Sequence, residues 1–195
     1  MSRLIIASKN DGKIREMTAI LRPFGVKILT YKRFSDWPHL PEVDNSYAEN
    51  AILKARTVST YFNLPALADD SGLEVDFLEG RPGPMSSRYA GENADNQQNI
   101  EKLLLEMKNC PEGKRTARFR AVACLVLPGN KICIATGVCS GRISYHPAGK
   151  DGFGYDQIFI PSGFDCSMAE LSLAQKNEIS HRAKSVRLVY KVSRL

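Results

Sequence analysis

No Cys-x-x-Cys pair, no long apolar run and no Walker-type glycine loop occurs in these 195 residues. Five cysteines, Cys110, Cys124, Cys133, Cys139 and Cys166, are an odd number without paired short spacing, which argues against a zinc ribbon. Their apolar neighbours predict buried free thiols, and hence a reducing, cytoplasmic setting. The apolar run Leu4-Ile5-Ile6-Ala7 is too short for a signal peptide or a membrane span, so no membrane partner is expected. Low-complexity segments, internal repeats and linkers are missing too, so residues 1–195 are expected to form a single domain.

What is present is an ordinary globular composition, 43% hydrophobic and 25% charged, with a net charge of +6. That excess favours an anionic partner. Nucleic acid, an anionic membrane and nucleotide phosphates all fit the charge. The Lys and Arg residues are scattered, however, and none of the expected helices reads as a basic recognition helix, which argues against nucleic acid.

Along the chain, Leu4–Ala7 predicts a buried strand and Ser8–Lys13 a polar turn. Ile14, Met17, Ile20, Leu21 and Phe24 share one helical face, with Pro23 and Gly25 as stop signals. Val26–Leu29 reads as a strand and residues 33–45 as a loop. Ser46 and Glu49 have capping-box spacing. They open a helix expected to bury Ala51, Ile52, Ala55, Val58 and Phe62 while showing Asn50, Lys54 and Arg56 on its other face. A short strand, Ala66–Ala68, is expected to run straight into Asp69-Asp70-Ser71-Gly72. Residues 79–91 read as a structured loop, and Ile100, Leu103, Leu104 and Met107 as a helix. Pro128-Gly129-Asn130 predicts a hairpin turn between strands 117–127 and 131–138, the first apolar enough from Ala121 to Leu127 to be buried on both faces. A last helix is expected from about Glu178, burying Ile179, Ala183, Val186, Val189 and Tyr190. Alternating early elements plus a hairpin give an α/β class with a mixed sheet and helices packed on it.

Four polar clusters carry chemistry. Ser8-x-Asn10-x-x-Lys13-x-x-Glu16 lies between strand and helix, where backbone N–H groups and a lysine make a phosphate seat. Asp69-Asp70-Ser71-Gly72 pairs carboxylates that repel unless a cation sits between them, and hard oxygens of this kind suit Mg²⁺. Gly152-Phe153-Gly154-Tyr155-Asp156 lets backbone approach a flat ligand closely, with Phe153 available to stack on a base. Lys176-Asn177-x-x-Ser180-His181-Arg182 offers a point charge and a planar donor fork.

Taken in order, the stretches SKNDGKIREM (Ser8–Met17), ENAILKAR (Glu49–Arg56), LADDSGLEVD (Leu67–Asp76), SRYAGENA (Ser87–Ala94), GFGYDQIF (Gly152–Phe159) and KNEISHRAKS (Lys176–Ser185) resemble the inosine triphosphate pyrophosphatase family. These enzymes are also described as non-standard purine nucleoside triphosphate pyrophosphatases, and the resemblance spans almost the whole chain. It implies an elongated mixed sheet flanked by helices, in two lobes with a central active-site cleft, assembled as a homodimer. It implies Mg²⁺-dependent hydrolysis of inosine, deoxyinosine or xanthosine triphosphate to the monophosphate and pyrophosphate. By the same resemblance, Asp70 is the catalytic proton acceptor and a metal ligand, with Glu42 as second ligand. Substrate contacts fall to Ser8, Lys9, Asn10, Asp11, Gly12, Lys13, Ser71, Phe153, Gly154, Tyr155, Asp156, Lys176, His181 and Arg182. Gln157 stands where the family usually has proline.

The resulting mechanism has an Mg²⁺-oriented water attacking the α-phosphorus, with Asp70 or Asp69 taking its proton and Lys13, Lys54 and Lys176 neutralising charge. Glu49 or Asp69 could also stand near the metal. A donor from His181 or Arg182 would accept a 6-oxo base and reject adenine. Two alternatives remain open at this level: a pyrophosphatase for pyrimidine or modified nucleotides, and a basic nucleic-acid-binding module.

Overall fold

The computed structural model describes residues 2–41, 43 and 46–195. The chain folds as two compact units: the first comprises residues 1–70, 121–137 and 181–195, and the second residues 71–120 and 138–180. Six strands form one sheet: β1 (Arg3–Ile6), β2 (Lys27–Leu29), β3 (Ala66–Val75), β4 (Thr116–Leu127), β5 (Lys131–Ile143) and β6 (Phe159–Pro161). Their order is β2-β1-β3-β4-β5-β6. β1 pairs in parallel with both β2 and β3, whereas β5 and β6 are antiparallel, so the sheet is mixed.

In the first unit, strand alternation sorts side chains to two faces. Leu4 and Ile6 of β1 join Leu67, Ala123 and Leu125 in a core covered by α1 (Asp11–Leu21) and α5 (His181–Ser193), through Met17, Ile20, Val186 and Val189. Ile5, Ala66, Ala68, Val122, Cys124 and Val126 form the opposite core, covered by Ala51, Ala55 and Val58 of α2 (Tyr47–Phe62). Residues 122–126 therefore feed both cores, as their unbroken apolar run requires. Gly137 permits close packing here: a Cβ on it would lie 2.0 Å from the His181 carbonyl oxygen. The second unit has its own core, built from Leu73 and Val75 of β3, Ile100 and Leu103 of α3 (Asn96–Glu106), Phe119, Ile143, Ile158 and Phe159.

Helix starts follow their caps. Asn10 caps α1, Ser46 Oγ accepts the Glu49 N–H of α2, and Asp95 with Gln98 forms a reciprocal capping box for α3. The Pro128–Asn130 turn is observed, with Gly129 and Asn130 at positive φ. All five cysteines are free, and Cys110, Cys124 and Cys139 are buried. Among the described residues no helix is long and apolar enough to cross a membrane.

Three local expectations change. The short strand expected over Ala66–Ala68 is longer: β3 continues through Asp69-Asp70-Ser71-Gly72 to Val75, because basic side chains neutralise both carboxylates and Leu73 and Val75 have a core to enter. The last helix is two: α4 (Leu173–Ile179) ends at Ser180, whose ψ of 151° is extended, and α5 starts at His181. Serine at such a junction competes for backbone hydrogen bonds rather than continuing the helix. On α2, Asn50 and Lys54 are buried, not displayed, while Arg56 is exposed.

Candidate active site

The first unit gathers its site residues around Asp69 and Asp70. Asn10 Oδ1 accepts the Lys13 N–H at 3.0 Å, and Ser8 Oγ accepts the Asn10 N–H at 3.1 Å. This cap opens α1 at Asp11 and sets Lys13 in the first turn, from which its ammonium lies 3.3 Å from Asp69 Oδ1 and donates to the Asp69 carbonyl. Glu16, three residues further along α1, faces inward and is 1% exposed. From α5, Arg182 bridges the two: Nε donates to Asp69 Oδ2 at 2.9 Å and Nη1 to Glu16 Oε2 at 2.5 Å.

Asp70 is held differently. Lys54 Nζ donates to its Oδ1 at 2.7 Å and Asn50 Nδ2 to its Oδ2 at 3.1 Å, both from α2. Cations from three helices thus converge on two adjacent carboxylates of one strand.

Burial pushes Asp69 upward, but the charges of Arg182, Lys13 and Lys54 outweigh it and hold its carboxyl well below the usual carboxylate range. A carboxylate so stabilised is a poor proton acceptor. Burial pulls the Lys13 ammonium below its ordinary value, only partly opposed by Asp69. For Arg182, burial is outweighed by Asp69 and Glu16, so the guanidinium is held more firmly protonated than usual.

The second unit holds the other cluster. Gly152 is at φ +80°, and a Cβ there would lie 2.1 Å from Asp156 Oδ2, so this turn requires glycine. Asp156 accepts the Phe153 N–H at 2.9 Å and forms an ion pair with Lys176, whose ammonium lies 5.1 Å over the Phe153 ring. Asp156 and Lys176 are both buried. Tyr155 donates its hydroxyl to the Ser86 carbonyl, and Gln157 ties the loop through a side-chain bond to the Gly149 carbonyl at 3.1 Å.

The expected residues Lys13, Lys54, Asp70 and Arg182 are therefore joined in the first unit, and Phe153, Asp156 and Lys176 in the second. His181 is buried at the start of α5. Lys9, Asn10 and Asp11 are exposed, Gly12 and Ser71 half-buried, and Gly154 takes a positive φ. Glu42 lies outside the described residues. Two contributors carried little signal: Asn50 read as a surface residue, and Glu16 had only its position one turn after Lys13.

The model of the Ham1 family matches residues 4–192 of the sequence. The chain belongs to the Ham1 family. Among relatives, the Oceanobacillus iheyensis protein named dITP/XTP pyrophosphatase is 43% identical over 187 residues, covering 95% of each chain. The Ham1 protein of Coxiella burnetii superposes with a TM-score of 0.86 at 38% identity, covering 100% of this chain and 99% of its own. The Staphylococcus aureus Ham1 protein gives 0.85 at 37% identity, with 99% and 98% covered. Ham1 proteins thus share the mixed α/β fold of this chain along its full length.

Proposed function

We propose that this Ham1-family chain hydrolyses purine nucleoside triphosphates with non-standard 6-oxo bases, inosine, deoxyinosine and xanthosine triphosphate, to the monophosphate and pyrophosphate. The observation that carries the reading is the different setting of the two neighbours: the charges of Arg182 and Lys13 hold the Asp69 carboxyl well below the usual range and make it a poor proton acceptor, while Asp70 is oriented by one donor on each oxygen and has further lone pairs. Asp70 then takes the proton of the attacking water as its oxygen bonds to the α-phosphorus and the bridge to the β-phosphate breaks. Lys13 and Lys54, with the N–H groups at the start of α1, bind the triphosphate through Ser8–Lys13 and stabilise the charge that moves onto pyrophosphate.

The donor set fits Mg²⁺. Asp70 offers hard carboxylate oxygens with lone pairs beyond those that take the Lys54 and Asn50 donors, the chemistry Mg²⁺ uses, and water and phosphate oxygens would complete its shell. Asp70 and Glu42 would hold it. When bound, it would supply charge neutralisation on the phosphates and lower the pKa of a water.

Phe153 stacks on the base, and Ser71, Tyr155, Asp156 and Lys176 complete the substrate contacts. Donors from the His181-Arg182 pair read the 6-oxo group, where adenine would present an opposed donor, a mismatch worth up to about 10⁴ in selectivity. The assembly is a cytoplasmic homodimer, checked by a light-scattering mass of twice the 21.7 kDa chain.

The test is pyrophosphate release from a panel of purine and pyrimidine triphosphates, with and without Mg²⁺. Inosine and xanthosine triphosphates should head the panel and chelation should stop release. Equal rates across the panel, or full activity in excess chelator, would sink the proposal. Asp70→Asn should lower turnover roughly 10²–10³-fold while the protein stays folded at the assay temperature.

A further inference from the structure

Asn50 sits in the first turn of α2, 3% exposed, with both ends of its amide engaged. One end meets the Val43 backbone N–H at 2.6 Å. A backbone N–H can only donate, so that end is the carbonyl oxygen. The other end is then the NH₂ group, and it faces Asp70 Oδ2 at 3.1 Å. Orientation follows from chemistry rather than from choosing between two similar atoms.

Lys54 follows Asn50 by four residues, one helical turn, and reaches the other oxygen of the same carboxylate. α2 therefore presents a matched pair of donors, one to each oxygen of Asp70. A carboxylate gripped at one oxygen can swing about its Cβ–Cγ bond. Gripped at both, its plane is fixed, and the remaining acceptor sites point in set directions. The Val43 contact in turn ties Asn50 to the segment that directly follows Glu42 in sequence.

We propose that Asn50 is a positioning residue for the reaction, holding the plane of the Asp70 carboxylate so that its free acceptor sites meet the attacking water. This rests on the reading of Asp70 as the reacting carboxylate. A purely structural asparagine would use the same two contacts only to satisfy its own buried amide and the Val43 N–H, and its loss would lower Tm without lowering kcat.

Asn50→Asp keeps the acceptor for Val43 and replaces the donor to Asp70 by a second carboxylate, so the uncharged Asn50→Ser, which removes the donor without adding charge, must show the same loss in kcat. The experiment is a double-mutant cycle with Asp70→Asn, measuring kcat and KM for inosine triphosphate together with Tm. In the wild-type background, Asn50→Asp should lower kcat about 10- to 100-fold with KM within about 3-fold. In the Asp70→Asn background the same change should cost nothing further. Equal losses in both backgrounds, or wild-type kcat in Asn50→Asp, would overturn the inference. Should Asn50→Asp melt below the assay temperature, Asn50→Ser carries the same cycle with the same two outcomes. The parent reading fails separately, when Asp70→Asn alone keeps full turnover.

Discussion

At the scale of the residue, the informative contrast is between two aspartates one peptide bond apart. Asp69 is buried between Lys13 and Arg182, and Arg182 also holds Glu16. Removing one member of such a network leaves a buried charge without compensation, at about 3–5 kcal/mol. Arg182→Ala should therefore lower the melting temperature by roughly 10 °C, read by calorimetry. An unchanged melt would show the network to be dispensable. The depressed carboxyl of Asp69 also fixes a sign. Its contribution to stability is complete above the unfolded value near pH 4 and fades as pH falls below that. Denaturant titrations should show Asp69→Asn less stable than wild type at pH 7, with the gap narrowing as pH drops from about 4 towards 2. A gap that stays constant over that range would remove the linkage.

At the scale of the element, much was legible because local signals agreed with the tertiary result. Leu4–Ala7, the Ser46 cap, the apolar run 121–127 and the Pro128–Asn130 turn all read correctly, since periodicity, caps and turn residues act within a few residues. Two of the three misreadings share one physical cause. The strand looks finished at Ala68 until Lys13, Lys54 and Arg182 arrive from distant segments to neutralise Asp69 and Asp70. Asn50 and Lys54 looked solvent-facing until Asp70 gave them a reason to be buried. Polar residues report their burial only through partners, and those partners are far away in sequence. Elements also carry their own prediction. Gly137→Ala places a methyl against the His181 carbonyl and the Ser185 N–H, 2.0 and 2.7 Å from the new Cβ. It should push the start of α5 off β5, lowering both Tm and turnover. Retention of both would show that the helix can shift without disturbing Arg182.

At the scale of the whole molecule, charge has a kinetic consequence. A net charge of +6 draws a polyanionic substrate from a distance, and salt screens that attraction over about 10 Å at 0.1 M. Raising salt from 50 to 500 mM should lower kcat/KM several-fold while kcat moves little; a fall confined to kcat would place the effect in chemistry instead of encounter. Burial of Cys124 offers a further handle on the molecule. Its thiol sits in the first unit, with its pKa pushed up to about 12 by burial. A thiol-directed alkylating reagent at neutral pH has almost no sulfur anion to attack there. Labelling at that position can proceed only when the surrounding core opens, so its rate counts opening events in the working enzyme, with no probe introduced.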